Sequence, residues 1–170
     1  MDFSQRLQAL EDIEAIKRLK YDYFFFCDHK QPNKVKDCFM EGEVKIDYGR
    51  IGCFDNRETL VAVFSQLACA ENIVEMHHAQ NPRIDVDGDS ANGVWGIYYY
   101  MIDTLQNSVT QLGGYYEDEY RKIESNWKIS ATVFHVTSTV LTDIASGVAN
   151  IIFAGGAAPA ELDDPSKQAS

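Results

Sequence analysis

Four long strand-like segments in the second half of the chain constrain its fold most. They are rich in Val, Ile, Thr and Tyr and cover Met76–Val86, Ala91–Leu105, Val109–Ile123 and Trp127–Thr142. The connections between them are short and carry the turn sequences "DGDS", "QNS" and "ESN". Strands joined by such short turns pair with their neighbours in antiparallel order. This half of the chain therefore predicts a four-stranded antiparallel meander.

Helical patterns dominate the first half. Residues from about Phe3 to Cys27 repeat apolar side chains every three or four positions without an internal glycine or proline, which predicts one long helix. "NKVKDCFM" predicts a short second helix, and "EVKIDYGRIGCF" predicts two short strands around Gly49. Asp55, three residues before Glu58, is expected to cap a third, amphipathic helix. Helices followed by a meander predict an α+β fold, in which a curved sheet wraps around the first helix and leaves a pocket.

The chain length and its C-terminal composition predict one domain with a tail. A chain of 170 residues is most simply one domain, and residues 1–145 carry its periodic segments. Residues 146–170 mix small residues with one apolar island, Ile151–Phe153. This tail is either disordered or docks on the pocket mouth or on a neighbouring subunit.

Charge and cysteine usage exclude several classes of partner. A net charge of −11 argues against nucleic acid and anionic membrane surfaces, which both require a positive footprint. No apolar run approaches the roughly 20 residues of a membrane helix. The four cysteines show no metal-binding spacing, and the charged N-terminal stretch is unlike a signal peptide. We therefore expect a cytoplasmic protein with reduced thiols, no metal and no cofactor. The charge says little about a small-molecule partner; the aromatic residues discussed below suggest that this partner is a small hydrophobic molecule.

Asp28 is the first candidate for chemistry. It follows three phenylalanines, and in an unbroken helix it shares a face with Phe24. It is either carried into apolar surroundings, where it needs a partner, or solvated at the helix end. A histidine on the facing sheet is the natural partner, because an aspartate that holds one ring nitrogen leaves the other free as a general base. The candidates are His77, His78 and His135, although a lone strand histidine also suits simple packing.

Aromatic residues form the second set of candidates. Trp95 and Tyr99 share one face of their predicted strand by alternation. A phenol in an apolar cavity, such as that of Tyr23, Tyr48 or Tyr116, can bind a substrate carbonyl and stabilise an enolate. Most of the nine tyrosines must nevertheless be ordinary packing residues.

The order of several short motifs resembles a known family. The motifs are "CDHK", "KIDYGR", "EMHHAQNPRIDV" and "GGYYEDEYRKIESNWKI". Together they resemble the SnoaL-like branch of the nuclear transport factor 2-like superfamily over residues 5–142. The resemblance implies a cone-shaped, curved antiparallel sheet with helices on its concave side and an enclosed pocket. It also implies a homodimer or homotrimer.

The resemblance further implies roles for individual residues. Asp28 matches the aspartate that orients a catalytic histidine in the family's dehydratases, His77 matches that histidine, and Tyr48 matches a tyrosine on the substrate side. Tyr23 also matches a pocket tyrosine, and its spacing to Asp28 requires the helix to loosen near Cys27 if both line the pocket. The residues expected to bind substrate are Tyr23, Phe24, Trp95, Tyr99, Tyr116 and His135. The stretch "GVWGIYYYM" lacks a second histidine found in relatives, so the substrate class stays open.

For the adjacent residues His77 and His78, strand alternation and the family resemblance predict different inward-facing histidines. Neighbouring strand residues face opposite sides. A simple apolar-face rule buries His78, because it shares parity with Met76 and Ile84. The resemblance instead selects His77 as the base and leaves His78 structural or at the rim. A bulge near Ala79–Pro82 would reset the alternation and reconcile the two.

Three functions are compatible with these features. The first is a small-molecule lyase or isomerase in which the His77–Asp28 dyad removes a proton from a hydrophobic ring substrate. The second is a non-catalytic ligand-binding protein or an accessory subunit of a ring-hydroxylating oxygenase, in which Asp28 and His77 do not meet. The third, epoxide hydrolysis, requires an Asp-Arg-Asp arrangement, and neither Arg50 nor Arg83 has a matching pair of aspartates.

Overall fold

Three helices and one six-stranded sheet make up the computed structural model, which describes residues 2–144 together with Ile151 and Ala154. The helices are α1 (Phe3–Asp28), α2 (Pro32–Asp37) and α3 (Arg57–Leu67), and a short 3-10 turn covers Gly49–Ile51. The strands are β1 (Lys45–Asp47), β2 (Cys53–Phe54), β3 (Ile73–Asp87), β4 (Ser90–Asp103), β5 (Ser108–Ile123) and β6 (Asn126–Asp143). The prediction for the tail, residues 146–170, lies outside the described residues apart from Ile151 and Ala154.

The sheet is curved and does not close. Its strand order is β2-β1-β6-β5-β4-β3, and the four long strands form the predicted meander. β1 pairs in parallel with β6, with Lys45 opposite Ala131, while the other described strand pairs are antiparallel. The helix α1 packs against β3 and β6. The predicted α+β fold is therefore confirmed, with one parallel pairing that the sequence did not indicate.

The buried face of α1 is more polar than the apolar pattern predicted. Leu7 and Leu10 are 47% and 62% exposed, whereas Asp12 and Lys20 are buried. Asp12 accepts hydrogen bonds from Trp127 Nε1 at 2.9 Å and from Lys122 Nζ at 2.7 Å. The third turn of the helix is therefore attached to the sheet by polar contacts of Asp12, whereas the leucines of the second turn do not anchor it.

A bulge in β3 decides which histidine faces inward. The register steps from Gln80 opposite Gly96 to Arg83 opposite Val94, so β3 carries one extra residue there. Asn81, inside the bulge, has a φ of 48°. The extra residue inverts the alternation, because a strand presents successive side chains to opposite faces. Consequently His77 and Ile84 are both partly buried although they differ in parity.

A second bulge lies in β6. Glu119 pairs with Ala131 whereas Tyr120 pairs with Ile129, which leaves Ser130 without an opposite residue. From this point to a further bulge at Thr137, the inner face passes from odd to even positions. Phe134 therefore faces inward, toward the cavity side of the sheet, and His135 faces outward.

The start of α3 also differs from its prediction. The cap is Asn56, not Asp55, and the Asn56 side chain accepts a hydrogen bond from the backbone N–H of Thr59 at 2.8 Å. The carbonyl of Asp55 instead accepts from the backbone of Val44. Within the described residues, the helices include none that is long and apolar enough to cross a membrane.

Candidate active site

The contact between α1 and β3 brings Asp28 and His77 together. Asp28 Oδ1 lies 2.6 Å from His77 Nδ1, and the two carboxylate oxygens lie 3.2 and 3.1 Å from the His77 backbone nitrogen. A carboxylate can only accept hydrogen bonds, so this contact assigns the ring proton to Nδ1. In the neutral ring, Nε2 is then the nitrogen that can accept a proton.

Two aromatic rings hold the imidazole in place. Phe24 stacks on His77 with ring centroids 5.1 Å apart and an interplanar angle of 10°. Tyr99 contacts it edge-on at 4.8 Å. A ring fixed in this way loses little further freedom when it receives a proton from a bound molecule.

A cavity of about 260 Å³ opens in front of His77. Its walls are largely apolar, and one side is formed by α3 through Leu60, Val63, Phe64 and Leu67. The opposite side is the inner face of the sheet, where Ile97, Met101 and Leu112 contribute. Such an enclosure favours a hydrophobic ligand with a few polar groups.

Two tyrosines form a hydroxyl pair at the cavity. Tyr23 and Tyr48 are buried, and their hydroxyl oxygens lie 2.9 Å apart. Burial raises the pKa of both phenols above the ordinary value of 10.0. They therefore remain protonated at neutral pH. One hydroxyl donates to the other, which leaves one proton available for a ligand oxygen.

Glu75 is a third polar group in the cavity, two residues before His77 on the same strand face. Its Oε1 accepts a hydrogen bond from the Tyr99 hydroxyl at 2.7 Å. Its Oε2 is buried and has no hydrogen-bond partner among the described residues. Burial raises the pKa of this carboxyl above its ordinary value. The sequence placed Glu75 on the same face as His77 but did not identify it as a site residue.

The structure brings together six of the nine residues predicted for the site. Tyr23, Tyr48, His77, Tyr99 and Tyr116 line the cavity, and Asp28 reaches it through His77. The helix stays regular through Cys27, with His29 N–H donating to the Phe25 carbonyl at 3.0 Å. The expected loosening is absent here because Asp28 itself does not line the cavity.

Three of the residues predicted to bind substrate lie elsewhere. Phe24 sits behind the imidazole and does not line the cavity. Trp95 is fully buried and donates its Nε1–H to the Tyr120 hydroxyl at 2.9 Å. His135 lies on the outer sheet face, where its Nε2 is 2.7 Å from Glu117 Oε2. The bulge at Ser130 explains the position of His135, because it turns Phe134 toward the cavity instead.

A buried ion pair supports the cavity from behind. Lys20 Nζ lies 2.7 Å from Asp118 Oδ2, and both side chains are 0% exposed. Asp118 also accepts hydrogen bonds from Thr132 and Tyr120, each at 2.6 Å. The ammonium lies 4.0 Å from the centroid of the Tyr116 ring. Burial lowers the pKa of Lys20, with Asp118 opposing that shift. The pair thus fixes Tyr116, which lines the cavity.

Other chemistries find less support in the described part of the chain. No group of three or more His, Cys, Asp or Glu side chains there is arranged to hold a metal ion. Cys27 lines the cavity, but burial raises the pKa of its thiol well above the ordinary value, so it is not a thiolate nucleophile. Arg50 and Arg83 are both exposed and neither lines the cavity, so the arrangement required for epoxide hydrolysis is not formed.

Comparisons with known proteins point to one family. A family model described as the SnoaL-like domain matches residues 8–133. A protein from Novosphingobium aromaticivorans, provisionally named scytalone dehydratase, has a similar structure with a TM-score of 0.71 and 23% identity, covering 86% of this chain and 97% of that one. The type 3 hexachlorocyclohexane dehydrochlorinase of Novosphingobium barchaimii gives a TM-score of 0.74 at 18% identity, covering 86% and 98%.

A further similar structure has a different provisional function. It is a protein from Novosphingobium aromaticivorans, provisionally named an aromatic ring hydroxylase, with a TM-score of 0.69 and 21% identity, covering 79% of this chain and 94% of that one. At these identities the likeness to solved structures establishes the fold alone.

Proposed function

Since this chain belongs to the family of SnoaL-like domains, we propose that it is a small-molecule lyase or isomerase of the dehydratase type. The observation that carries the proposal is the 2.6 Å contact between Asp28 and His77 at the wall of an apolar cavity. The non-catalytic alternative predicted that these two residues do not meet, so the contact favours the enzyme.

In the proposed reaction, His77 Nε2 removes a proton from a carbon next to a carbonyl group. Asp28 keeps the ring in the required tautomer and stabilises the imidazolium that forms. The Tyr23–Tyr48 hydroxyl pair donates a hydrogen bond to the carbonyl oxygen as it gains charge. The electron pair of the broken C–H bond then either expels a neighbouring group or shifts a double bond.

The apolar walls indicate the substrate class. A hydrophobic ring compound with one carbonyl group, such as an aromatic, polyketide or steroid-like ketone, matches a largely apolar cavity of about 260 Å³ with a few polar groups in its walls. The homodimer or homotrimer, and the cytoplasmic location, remain predictions from the resemblance and from the cysteine usage.

Proton exchange tests the proposal without the natural substrate. 4-Phenylbutan-2-one carries acidic protons next to its carbonyl, and their replacement in D₂O is followed by NMR. We expect the wild type to accelerate this exchange and His77→Ala to abolish the acceleration. His78→Ala is the matched control. Because His78 is exposed, this variant should exchange the protons of 4-phenylbutan-2-one as fast as the wild type. Full retention of exchange by His77→Ala would remove the basis of the proposal.

A further inference from the structure

We propose that Glu75 is the general acid of this site and protonates an oxygen leaving group through its Oε2. The inference rests on the proposed function, in which His77 is the base, and deepens it by naming the group that leaves. A hydroxyl on the carbon next to the deprotonated one is a poor leaving group unless it is protonated. A halide leaves as the anion and needs no acid.

The hydrogen bonding of Glu75 matches that of a neutral carboxylic acid. Oε1 accepts from the Tyr99 hydroxyl at 2.7 Å, as the carbonyl oxygen of a protonated carboxyl group does. Oε2 is buried at the cavity and has no partner among the described residues. An ionised oxygen in that position carries a large desolvation cost, whereas a protonated Oε2 keeps a hydrogen-bond donor that no described residue accepts.

The charged and titratable neighbours of Glu75 act in both directions. Burial has the largest effect and raises the pKa of the carboxyl, and the nearby Asp28 also raises it. His77, the hydrogen bond from Tyr99 and Lys30 lower it. Lys30 is itself held away, because its ammonium donates to the backbone carbonyls of Ala70 and Ile73. The net effect is a pKa above the ordinary value of 4.5.

Glu75, the proposed acid, and His77, the proposed base, lie on the same side of a bound ligand because of their positions in β3. Glu75 and His77 lie two residues apart in β3 and therefore point to the same face. Tyr99 contacts both of them, through its hydroxyl and through its ring. This arrangement favours removal of the proton and departure of the oxygen from the same side of the substrate.

The proposed step is balanced in atoms and charge. His77 Nε2 takes the proton on carbon, the C–H electron pair becomes the new C=C bond, and the C–O bond breaks. The oxygen keeps the electron pair of that bond and takes the proton from Glu75 Oε2, so that water leaves. The enzyme is left with an imidazolium and a carboxylate, and transfer of one proton from His77 to Glu75 through the released water restores it.

The first test is a titration that needs no substrate. The carboxyl carbon of Glu75 is observed by NMR in protein labelled with ¹³C-glutamate, and Glu75→Gln assigns its resonance by removing it. We expect a midpoint above 4.5, the ordinary value for this group. A midpoint at or below that value overturns the inference.

The second test compares leaving groups on one carbon framework. 4-Hydroxy-4-phenylbutan-2-one loses water to a strongly absorbing enone, and its β-chloro analogue loses chloride to the same product. We expect Glu75→Gln to lower the dehydration rate by about 10²–10⁴-fold, the usual contribution of a general acid. Chloride elimination, corrected for the spontaneous rate, and proton exchange of 4-phenylbutan-2-one need no acid, so Glu75→Gln should lower both rates far less than it lowers dehydration.

The outcomes separate this inference from the proposed function. If Glu75→Gln dehydrates the hydroxy ketone as fast as the wild type, or if the wild type exchanges protons without dehydrating it, Glu75 is not the acid. If the wild type exchanges no protons, the proposed function fails, and the titration alone then decides whether Glu75 holds its proton. Glu71→Gln is the control, because Glu71 is exposed and lies outside the cavity.

Discussion

Asp28 binds both the ring and the backbone of His77, with 2.6 Å between Asp28 Oδ1 and the ring Nδ1 and 3.1 Å between Oδ2 and the backbone nitrogen. One carboxylate therefore couples the end of α1 to the strand that carries the proposed base. This double contact positions the histidine and sets its tautomer at the same time. It links the folding of the α1–β3 interface to the chemistry of the cavity.

Removing the negative charge of Asp28 should weaken the base while leaving the protein folded. The amide oxygen of Asp28→Asn can still accept a hydrogen bond from His77 Nδ1–H, but the neutral side chain no longer stabilises an imidazolium. We expect proton exchange of 4-phenylbutan-2-one to fall by about 10²–10⁴-fold. Asp22→Asn changes a carboxylate of the same helix that pairs with Arg18 at the surface, and should leave the rate intact. Equal rates for both variants would exclude Asp28 from the reaction.

Removing the Tyr48 hydroxyl should slow formation of the enolate. Burial keeps this phenol protonated, and its oxygen lies 2.9 Å from that of Tyr23. The loss of one such donor lowers kcat by about 10²–10³-fold. We expect Tyr48→Phe to show this loss in the exchange assay with little change in KM. Tyr98→Phe, on the exposed outer face, is the control, and a Tyr48→Phe enzyme as fast as this control would argue against the role.

The raised pKa of Glu75 predicts how stability depends on pH. Because the pKa is raised in the folded protein, the folded state holds this proton more tightly than the unfolded state, whose value is near 4.5. The stabilisation is complete below that value and is lost as the pH rises through the folded pKa. The free energy of unfolding of the wild type, relative to that of Glu75→Gln, should therefore fall from pH 4.5 upward in urea titrations. A constant difference would show that burial does not shift this group.

Breaking the buried ion pair from one side should be costly. Lys20→Met leaves Asp118 charged and fully buried, which costs about 3–5 kcal/mol of unfolding free energy. Lys20→Met/Asp118→Asn removes both charges and should recover part of that loss. Lys17→Met affects a surface pair with Glu14, which solvent screens, and should cost far less than Lys20→Met. Chemical denaturation of the wild type and the three variants checks this order. A Lys20→Met variant as stable as the double variant would contradict it.

The bulge in β3 should depend on the conformation of Asn81. Its φ of 48° is left-handed, which a β-branched residue adopts at a cost of about 1–2 kcal/mol. We expect Asn81→Val to lower the unfolding free energy by this amount, whereas Asn81→Gly keeps the bulge at little cost. Urea denaturation measures both variants. If the valine variant were as stable as the glycine variant, local backbone strain would not govern the bulge.

Much of the fold could be predicted from the sequence. The four long strands and α1 were identified within a few residues, because each carries a periodic pattern and is bounded by residues that favour turns or interrupt helices. The order of four motifs identified the SnoaL-like family, which the match over residues 8–133 confirms. The pairing of Asp28 with His77 was predicted only through that resemblance, since alternation alone favoured His78.

The tertiary structure decided which faces those strands present. A single extra residue reverses the side chains that follow it, up to the next bulge of the strand, and bulges of this kind in β3 and β6 shape the cavity. The bulge between Gln80 and Arg83 allows His77 and Ile84 to share the inner face, and the one at Ser130 exchanges His135 for Phe134. Burial, which depends on the whole fold, converts Glu75 from an ordinary strand carboxylate into a candidate proton donor. Sequence periodicity therefore determined the elements, while strand register and desolvation, which arise only when distant segments pack, determined the site.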